Sequence, residues 1–262
     1  MKRKLERIAG ACLRQAECTA NGLRFGFFFV RSRWFRMPHA IRVAGRKRPL
    51  HYPEETGVQN DFFACVIRNE YGLRHGLGEA KTILDIGANV GFFSVAARGR
   101  YPHAKIHAYE PNPRVIPILK SNAAPLGIEV YAEAVGSRDG RTSILDIGDS
   151  NQARTRASEA GEIPQVSLEK AIERLGGTVD LLKLDCEGAE WDLFHATEAW
   201  KHVRNVRMEY HLFQNETIAQ LKQTLNDLAF DVVRLEPGPC FGMVWARARS
   251  NAGNGSGNGA RS

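Results

Sequence analysis

The sequence lacks several features that would assign it to whole classes of protein. No apolar run approaches the ~20 residues that a membrane-spanning helix needs. A secretory leader is not expected, because polar and charged residues interrupt the stretch after the basic start. The cysteines number five, and none is spaced as Cys-x-x-Cys, which argues against a disulfide framework or a zinc site. These absences favour a protein of the reducing cytoplasm.

Acidic residues are scarce in the first 50 residues, which hold 13 Lys and Arg but only Glu6 and Glu17. The other residues hold 23 basic and 27 acidic side chains, a balance of −4. A basic head on a mildly acidic body does not predict a nucleic-acid groove, and no DNA partner is expected. With 43% hydrophobic and 25% charged residues, the chain has the composition of an ordinary globular protein.

Residues 1–40 are predicted to form a basic, helical N-terminal head. Small and apolar residues recur there at helical spacing between lysines and arginines, and residues 26–36 interleave aromatic residues with arginines. Such a segment could make a peripheral contact with the inner face of a membrane. It could instead be a helix that docks on its own domain, with arginine stems covering apolar surface. The sequence favours docking but leaves both interpretations open.

The rest of the chain alternates strands with helices, which predicts an α/β fold with a mostly parallel sheet covered on both faces. Residues 41–249 are expected to be one Rossmann-like domain with a cofactor core from about residue 80, and the Asn/Gly/Ser-rich residues 250–262 a flexible tail. The predicted strands are 81–86, 105–109, 142–145, 179–185, 203–211, 230–235 and 241–247, and residues 128–135 are expected to form one or two short strands. The predicted helices are 92–100, 113–123, 166–175, 189–200 and 215–229, with another capped by Asn60 or Asp61 and running to Tyr71. A hairpin turn is expected at Ser137–Gly140 and a long loop at 148–164.

A glycine-rich turn, Asp85 to Gly91, follows the first of these parallel strands. Gly87 and Gly91 let the backbone approach a ligand closely, because a Cβ atom there would be in the way. The helix that follows directs its N-terminal N–H groups to the same place, which favours a negatively charged group. Asn89 stands where a dinucleotide-binding turn has its second glycine, which weakens a nicotinamide interpretation. A plain tight turn is the alternative.

Glu110 ends the second strand, 23 residues after Gly87. A carboxylate at that place is suited to hold a ribose, since it accepts hydrogen bonds from both vicinal hydroxyl groups. The alternative is a solvated acid in a loop.

These residues and four later motifs resemble the FkbM family of S-adenosylmethionine-dependent methyltransferases. The later motifs are Ala134-Val135-Gly136, Val166-Ser167-Leu168 before a helix, the strand-end sequence from Lys183 to Glu190, and Glu209-Tyr210-His211. The resemblance extends from Phe62 to Trp245. It implies a class I methyltransferase fold, with a seven-stranded, mostly parallel sheet whose last strand is antiparallel. It also implies methyl transfer to a hydroxyl group, commonly on a sugar or a polyketide-like metabolite.

The resemblance also implies roles for individual residues around S-adenosylmethionine. Glu110 would hold the ribose, and Asp185 would lie beside the amino group of the cofactor or beside the acceptor. The residues implied to line the methionine part are Asp85, Gly87, Asn89 and Gly91, and those implied to border the adenine are Ala134 and Val135.

A hydroxyl acceptor must lose its proton, so a base tuned near neutral pH would help. His211 is the candidate base because it follows the fifth strand at the ligand edge, and Glu209 shares its side of that strand. His211 could instead be a structural cap. Together with Asp185 these two residues could also bind Mg²⁺, but nothing in their spacing requires it, and no metal is assigned.

The sequence therefore predicts an O-methyltransferase that acts on a hydroxyl group of a carbohydrate or a related small metabolite. Three alternatives stay open: an RNA methyltransferase that uses the basic head, a non-catalytic protein that only binds S-adenosylmethionine, and a nicotinamide oxidoreductase. The sequence identifies neither the acceptor nor the oligomeric state.

Overall fold

The computed structural model describes residues 2–145, 154–157 and 161–249. The N-terminal part contains two helices and a two-stranded hairpin. In chain order the helices and strands are α1 (Lys2–Arg24), β1 (Ala40–Val43), β2 (Arg46–Pro49) and α2 (Thr56–Phe62). Helix α2 continues directly into a π-helical turn at Phe63–Ile67.

The rest of the chain supplies eleven described strands and six described helices. They are β3 (Thr82–Ile86), α3 (Phe92–Arg100), β4 (Lys105–Tyr109), α4 (Ile116–Ala123), β5 (Glu129–Tyr131), β6 (Ala134–Gly136), β7 (Gly140–Leu145), β8 (Arg154–Ala157), β9 (Ile163–Ser167), α5 (Leu168–Leu175), β10 (Leu181–Leu184), α6 (Glu190–Leu193), α7 (Thr197–Trp200), β11 (Asn205–His211), α8 (Ile218–Asp227), β12 (Phe230–Glu236) and β13 (Phe241–Ala248).

The main sheet has seven strands in the order β12-β13-β11-β10-β3-β4-β5. Strands β11, β10, β3, β4 and β5 pair in parallel, and β13 is antiparallel to both of its neighbours. This order confirms the predicted class I methyltransferase fold, including the antiparallel last strand. The chain runs outward from β3 in one direction and later from β10 in the other, so the switch in strand order falls between β3 and β10.

Two hydrophobic cores cover the two faces of this sheet. One contains α3, α4, the π-helical turn and the hairpin, and the other contains α5, α7 and α8. Strand β10 is buried along its whole length, as expected of a central parallel strand that is covered on both sides. Because both faces of the sheet are covered, the predicted site residues emerge at the edge where the parallel strands end.

A second sheet, with strand order β6-β9-β7-β8, was not predicted. The expected hairpin at Ser137–Gly140 is wrong, because β6 pairs in parallel with β9 while β7 pairs antiparallel with both β8 and β9. The expected loop at 148–164 is wrong where it contains β8 and the start of β9. The polar sequence of β8 hid this strand, since an edge strand needs no apolar residues facing a core. Residues 148–153 and 158–160 of that expected loop lie outside the described part.

Several predicted helix boundaries are also corrected. The helix expected to begin at Asn60 or Asp61 begins at Thr56, so that Asp61 lies inside α2 and caps nothing. The helix expected at 113–123 begins at Ile116. The helix expected at 189–200 is divided into α6 and α7 by Ala196, whose ψ of 55° is not helical. The helix expected at 166–175 begins only at Leu168, because Ser167 is its N-cap and accepts a bond from the Lys170 N–H at 3.2 Å.

The N-terminal segment contacts the main body through the end of α1 and the residues after it. Phe25 and Phe29 are buried in the first core, and the buried Asn21 side chain donates to the Ile67 carbonyl at 2.9 Å. Among the described helices, none is both long and apolar enough to cross a membrane. The expected flexible tail, residues 250–262, lies outside the described residues.

Candidate active site

An open cleft lies at the carboxyl ends of β3, β4, β10 and β11, beside the switch in strand order. It encloses about 980 Å³, open solvent included, which is enough for a cofactor and part of a substrate. Of the predicted site residues, the lining includes Gly87, Asn89, Glu110, Ala134, Val135, Asp185 and Glu209. Ligands bind at this edge in open parallel sheets, because the loops after neighbouring strands meet there.

The glycine turn adopts a conformation that depends on its glycines. Gly87 has a φ of 74°, and a Cβ atom on it would lie 1.8 Å from the backbone oxygen of Asp185. Gly91 has a φ of 90° and forms the N-cap of α3 without itself lining the cleft. Asn89 also has a positive φ, 48°, which asparagine tolerates better than most residues. The turn therefore lies directly against the end of β10.

Glu110 is 7% exposed and stands at the floor of the cleft. Its two carboxylate oxygens accept backbone N–H bonds from Asn89 at 2.7 Å and from Asn112 at 2.8 Å. These bonds fix the carboxylate beside the glycine turn and leave it lone pairs for a ligand. Burial raises the pKa of Glu110 to about 7, because the charged form is poorly solvated there.

Lys183 was missed by the sequence analysis as a site residue. It is buried in β10 directly opposite Asp85 in β3, and its Nζ lies 3.4 Å from an Asp85 oxygen and 3.7 Å from Asp185 Oδ2. The same ammonium group donates to the Gly87 carbonyl. Burial opposes the charged form of Lys183, but the charges of Asp85 and Asp185 together raise its pKa above the usual value. Lys183 thus connects two acids to the glycine turn.

Asp85, implied by the resemblance to line the cofactor's methionine part, lies beneath the turn. It is completely buried, and one of its oxygens accepts a hydrogen bond from the Ser94 hydroxyl at 2.6 Å. Burial raises its pKa in spite of Lys183. Its position indicates that Asp85 supports the turn from below and does not form the cleft surface.

Two further site residues come from the N-terminal side of the matched motifs and carried no sequence signal. Asp61, in α2, accepts a 2.8 Å hydrogen bond from the side-chain amide of Asn89. Tyr71 donates its hydroxyl to Asp185 Oδ2 at 2.8 Å. Burial and then the nearby charge of Asp185 raise the pKa of Asp61 to about 8. The segment before β3 therefore forms one wall of the cleft.

The opposite wall is formed by the short strand β6, which carries both residues implied to border an adenine. Ala134 and Val135 are buried and line the cleft. Tyr109, at the end of β4, lines the same part and stacks on Tyr131 with ring centroids 4.6 Å apart. This apolar and aromatic part of the cleft suits a planar base.

The acidic end of the cleft brings together the predicted catalytic residues. Asp185 and Glu209 line it, whereas His211 lies just behind the lining and is 3% exposed. The two ring nitrogens of His211 face carboxylates: Nδ1 lies 3.3 Å from Glu190 Oε1, and Nε2 lies 3.6 Å from Glu187 Oε2.

Both titrating groups on the end of β11 have unusual pKa values. Burial, and then the negative charge of Asp185, raises the pKa of Glu209 to about 8. Burial lowers the pKa of His211, but the hydrogen bond to Glu190 and the negative charges of the neighbouring carboxylates outweigh this effect and raise the pKa to about 9. Groups that exchange protons close to neutral pH therefore stand at one end of the cleft.

Glu190 has a local role that its motif did not reveal. It is completely buried, and its two oxygens accept N–H bonds from Cys186 at 2.7 Å and Gly188 at 3.0 Å. Its carboxylate thereby closes the loop between β10 and α6, in addition to pairing with His211. Glu190 holds this loop and the histidine in place together.

One group of side chains among the described residues has the spacing of metal ligands. It consists of Asp185, Glu187 and His211, whose ligand atoms lie within 4.8 Å of one another. The expected alternative set contained Glu209 in place of Glu187. In the arrangement seen here, the imidazole ring itself lies between Glu187 and Glu190 and compensates their charge when it is protonated.

Comparisons with known proteins agree with this geometry. The family model described as "Methyltransferase FkbM domain" matches residues 85–232, more than half of the chain. Methyltransferase sdnD of Sordaria araneosa is 28% identical over 214 residues, which cover 63% of this chain and 80% of that protein. The 31-O-demethyl-FK506 methyltransferase FkbM of Streptomyces tacrolimicus is 40% identical over 90 residues, 34% of this chain and 32% of that protein.

Among solved structures, magnesium protoporphyrin IX methyltransferase from Synechocystis PCC 6803, with bound S-adenosylmethionine, aligns with a TM-score of 0.43 and 13% identity. The alignment covers 74% of this chain and 80% of that one. The family match covers the glycine turn, Glu110 and the acidic end of the cleft. The chain belongs to the FkbM family of S-adenosylmethionine-dependent methyltransferases.

Proposed function

We propose that this enzyme transfers a methyl group to a hydroxyl group of a carbohydrate or a related small metabolite. The observation that carries the proposal is the arrangement of the cleft. A buried carboxylate, Glu110, is fixed beside the glycine turn, and two groups with raised pKa values, Glu209 and His211, stand at the acidic end.

The residues present fit the cofactor that the family requires. The turn at Gly87 has no room for a Cβ atom, and Glu110 has free lone pairs in the cleft. The buried Asn89 Oδ1 has no hydrogen-bond partner among the residues that the structure describes. We assign the ribose to Glu110, the adenine to the wall formed by Ala134 and Val135, and the ammonium group to Asp185. When bound, S-adenosylmethionine supplies a methyl group already activated by its sulfonium charge.

The protein then has two tasks: to align the acceptor hydroxyl and to receive its proton. We assign the proton to Glu209 and His211, which lie two residues apart at the end of β11 and on the same side of that strand. Glu209 faces the cleft, and His211 is held behind it by Glu190. Tyr71 and Lys183 hold Asp185 at the border between the cofactor and the acceptor.

A hydroxyl acceptor is supported by the name of one relative, which describes methylation at an oxygen of demethylated FK506. A sugar or related polyol suits an acidic cleft end, since carboxylates accept hydrogen bonds from hydroxyl groups. The RNA alternative is less well supported, because the cleft end carries carboxylates that would repel phosphates. A non-catalytic binding protein would not need two groups with raised pKa values at the end of its cleft. A metal ion is not part of the proposal.

The proposal is tested by measuring methyl transfer from S-adenosylmethionine to a panel of sugars and hydroxylated metabolites. Transfer to the oxygen of at least one acceptor, identified by mass spectrometry and NMR, is the expected result. Cofactor binding without transfer to any hydroxyl compound would instead support the non-catalytic alternative. Salt-dependent methylation of RNA would support the nucleic-acid alternative.

Replacing Glu110 with alanine is expected to weaken cofactor binding by about 2–4 kcal/mol, because two charge-assisted hydrogen bonds to the ribose are lost. Titration calorimetry with S-adenosylhomocysteine measures the change. In the unaltered enzyme, affinity should also fall below pH 7, since the pKa of Glu110 is raised to about 7 and only the charged form accepts both bonds. The exposed Glu173→Ala variant is the control, and equal affinities in the two variants would refute the ribose assignment.

The rate of methyl transfer is expected to rise with pH up to about 8–9. A base works only when deprotonated, and the pKa values of Glu209 and His211 are raised to about 8 and about 9. Below this range, kcat/KM should fall about tenfold per pH unit. The variants Glu209→Gln and His211→Gln should lower kcat at least about 100-fold and flatten the profile, with cofactor affinity little changed. An unaltered profile in both variants would show that the proton goes elsewhere.

We also propose that residues 41–249 form the catalytic domain and that it works in the cytoplasm. The five cysteines are unpaired in the structure, which suits a reducing compartment. Contact of the N-terminal region with a membrane is independent of this proposal, because it depends on the surface of α1 and not on the cleft.

A further inference from the structure

The first two thirds of α1 extend beyond the main body. The helix has 23 residues and is therefore about 35 Å long. Its contacts with the body come from its last turns, where Cys18 packs against the first core and Asn21 bonds to Ile67. Between Ile8 and Ala16 every residue is exposed except the half-buried Gly10.

The exposed part of α1 is amphipathic, and its apolar side faces away from the protein. Ile8, Leu13 and Leu23 are 52%, 71% and 56% exposed, although they fall on one side of the helix. The side that packs against the body carries Asn21 and Gly22, which are buried. The apolar stripe thus has no partner within the described residues.

The loop after α1 extends this apolar surface. Phe28 is 69% exposed and Val30 is 46% exposed. The loop is attached to the helix by two bonds: the Thr19 hydroxyl donates to the Phe29 carbonyl at 2.9 Å, and the Gln15 amide donates to the Val30 carbonyl. Five of the eight large exposed apolar side chains among the described residues therefore lie on α1 and this loop.

The same segment is strongly basic. Residues 2–36 contain nine Lys and Arg but only two acidic residues. A second copy docked on this surface would bring two such segments together, and their like charges would repel. An anionic lipid surface complements both properties, since headgroups attract the basic residues and the acyl boundary accepts the apolar ones.

We propose that α1 and the loop at Phe28–Val30 bind the surface of a membrane that contains anionic lipids. The helix lies in the interface, with Ile8, Leu13 and Leu23 inserted among the lipids and its basic side chains at the headgroups. The cleft stays outside the bilayer, so the enzyme methylates its acceptor while attached to the surface. This binding does not depend on the proposed acceptor.

Co-sedimentation of the full chain with vesicles tests the proposal. Binding is expected to vesicles of phosphatidylcholine mixed with phosphatidylserine and to be at least about tenfold weaker to phosphatidylcholine alone. Added salt should weaken binding to the mixed vesicles, because the attraction to the headgroups is screened.

Two variants with the same added charge separate insertion from electrostatics. Leu13→Asp places a carboxylate on the apolar stripe and should weaken binding about tenfold more than Ala11→Asp, which places it elsewhere on the exposed helix. Unchanged affinity for S-adenosylhomocysteine shows that both variants are folded.

Three results would overturn the proposal. The first is equal binding to both kinds of vesicle, and the second is equal loss in the two variants. The third is a lack of vesicle binding together with dimers, seen by analytical ultracentrifugation, that Leu13→Asp dissociates. The last result would assign the stripe to a second copy of this chain.

Discussion

Replacing Gly87 with alanine is expected to abolish cofactor binding and to lower the free energy of unfolding by about 4 kcal/mol or more. The new Cβ atom would lie 1.8 Å from the Asp185 carbonyl oxygen, which is backbone and cannot rotate away. The residue would also keep a φ of 74°, which is unfavourable for alanine. Relief of the clash requires that the glycine turn move away from β10, and this movement displaces Asn89 from Glu110.

Gly127→Ala provides a matched control for this experiment. Gly127 has a φ of 61°, but nothing lies within 4 Å of an added Cβ atom. Its replacement should therefore cost only the backbone strain, about 1–2 kcal/mol, and leave cofactor binding intact. Urea unfolding and titration with S-adenosylhomocysteine compare the two variants. Similar stability and affinity in both would contradict the close contact between the turn and β10.

Replacing Lys183 with methionine is expected to lower the free energy of unfolding by about 3–5 kcal/mol, because the buried charge of Asp85 loses its partner. Cofactor affinity should fall as well, since the ammonium group also holds the Gly87 carbonyl and Asp185. A second substitution, Asp85→Asn, should restore part of the stability to the Lys183→Met variant, because the unpaired charge is then removed.

Lys201→Met is the control on the surface. Lys201 also forms an ion pair, with Glu198 at 2.7 Å, but both side chains are more than 60% exposed. Water screens such pairs, so this change should cost less than about 1 kcal/mol. Denaturant unfolding of the three variants, beside the unaltered protein, measures these differences in the free energy of unfolding. Two results would contradict a role of the buried ion pair in supporting the turn. One is that Lys183→Met lowers the free energy of unfolding no more than Lys201→Met does, and the other is that the added Asp85→Asn substitution restores none of it.

The parts of the site that could be predicted from the sequence are those specified by consecutive residues. The conformation of a turn such as Gly87 to Gly91 is determined by its own residues, because only glycine adopts positive φ angles without strain. Glu110 was predictable for a related reason: it ends a strand next to that turn. The seven-stranded, mostly parallel sheet with its antiparallel last strand followed from the family resemblance together with the alternation of helices and strands.

Contacts between distant parts of the chain were harder to predict. Lys183 and Asp85 are single charged residues in otherwise apolar strands, a signal that could have suggested their pairing. Their register, however, is known only once the strands are paired. Tyr71 bonds to a residue 114 positions later, and no local pattern marks it.

The second sheet could not be predicted from the sequence for a different reason. Strand β8 is polar and pairs on one side with β7, so its sequence resembles that of a loop. The division of α6 from α7 was equally hidden, because the apolar spacing of residues 189–200 continues across the break at Ala196. In both cases tertiary pairing outweighs the local pattern.

Titration calorimetry of the purified chain with S-adenosylhomocysteine, beside NADH, tests the central claim most directly. We expect S-adenosylhomocysteine to bind at one site per chain and NADH not to bind. This result is expected because Asn89 replaces a glycine that a pyrophosphate needs, whereas Glu110 and the turn suit a nucleoside with an amino acid attached. The opposite result, with NADH bound and S-adenosylhomocysteine rejected, would contradict the assignment of the cleft.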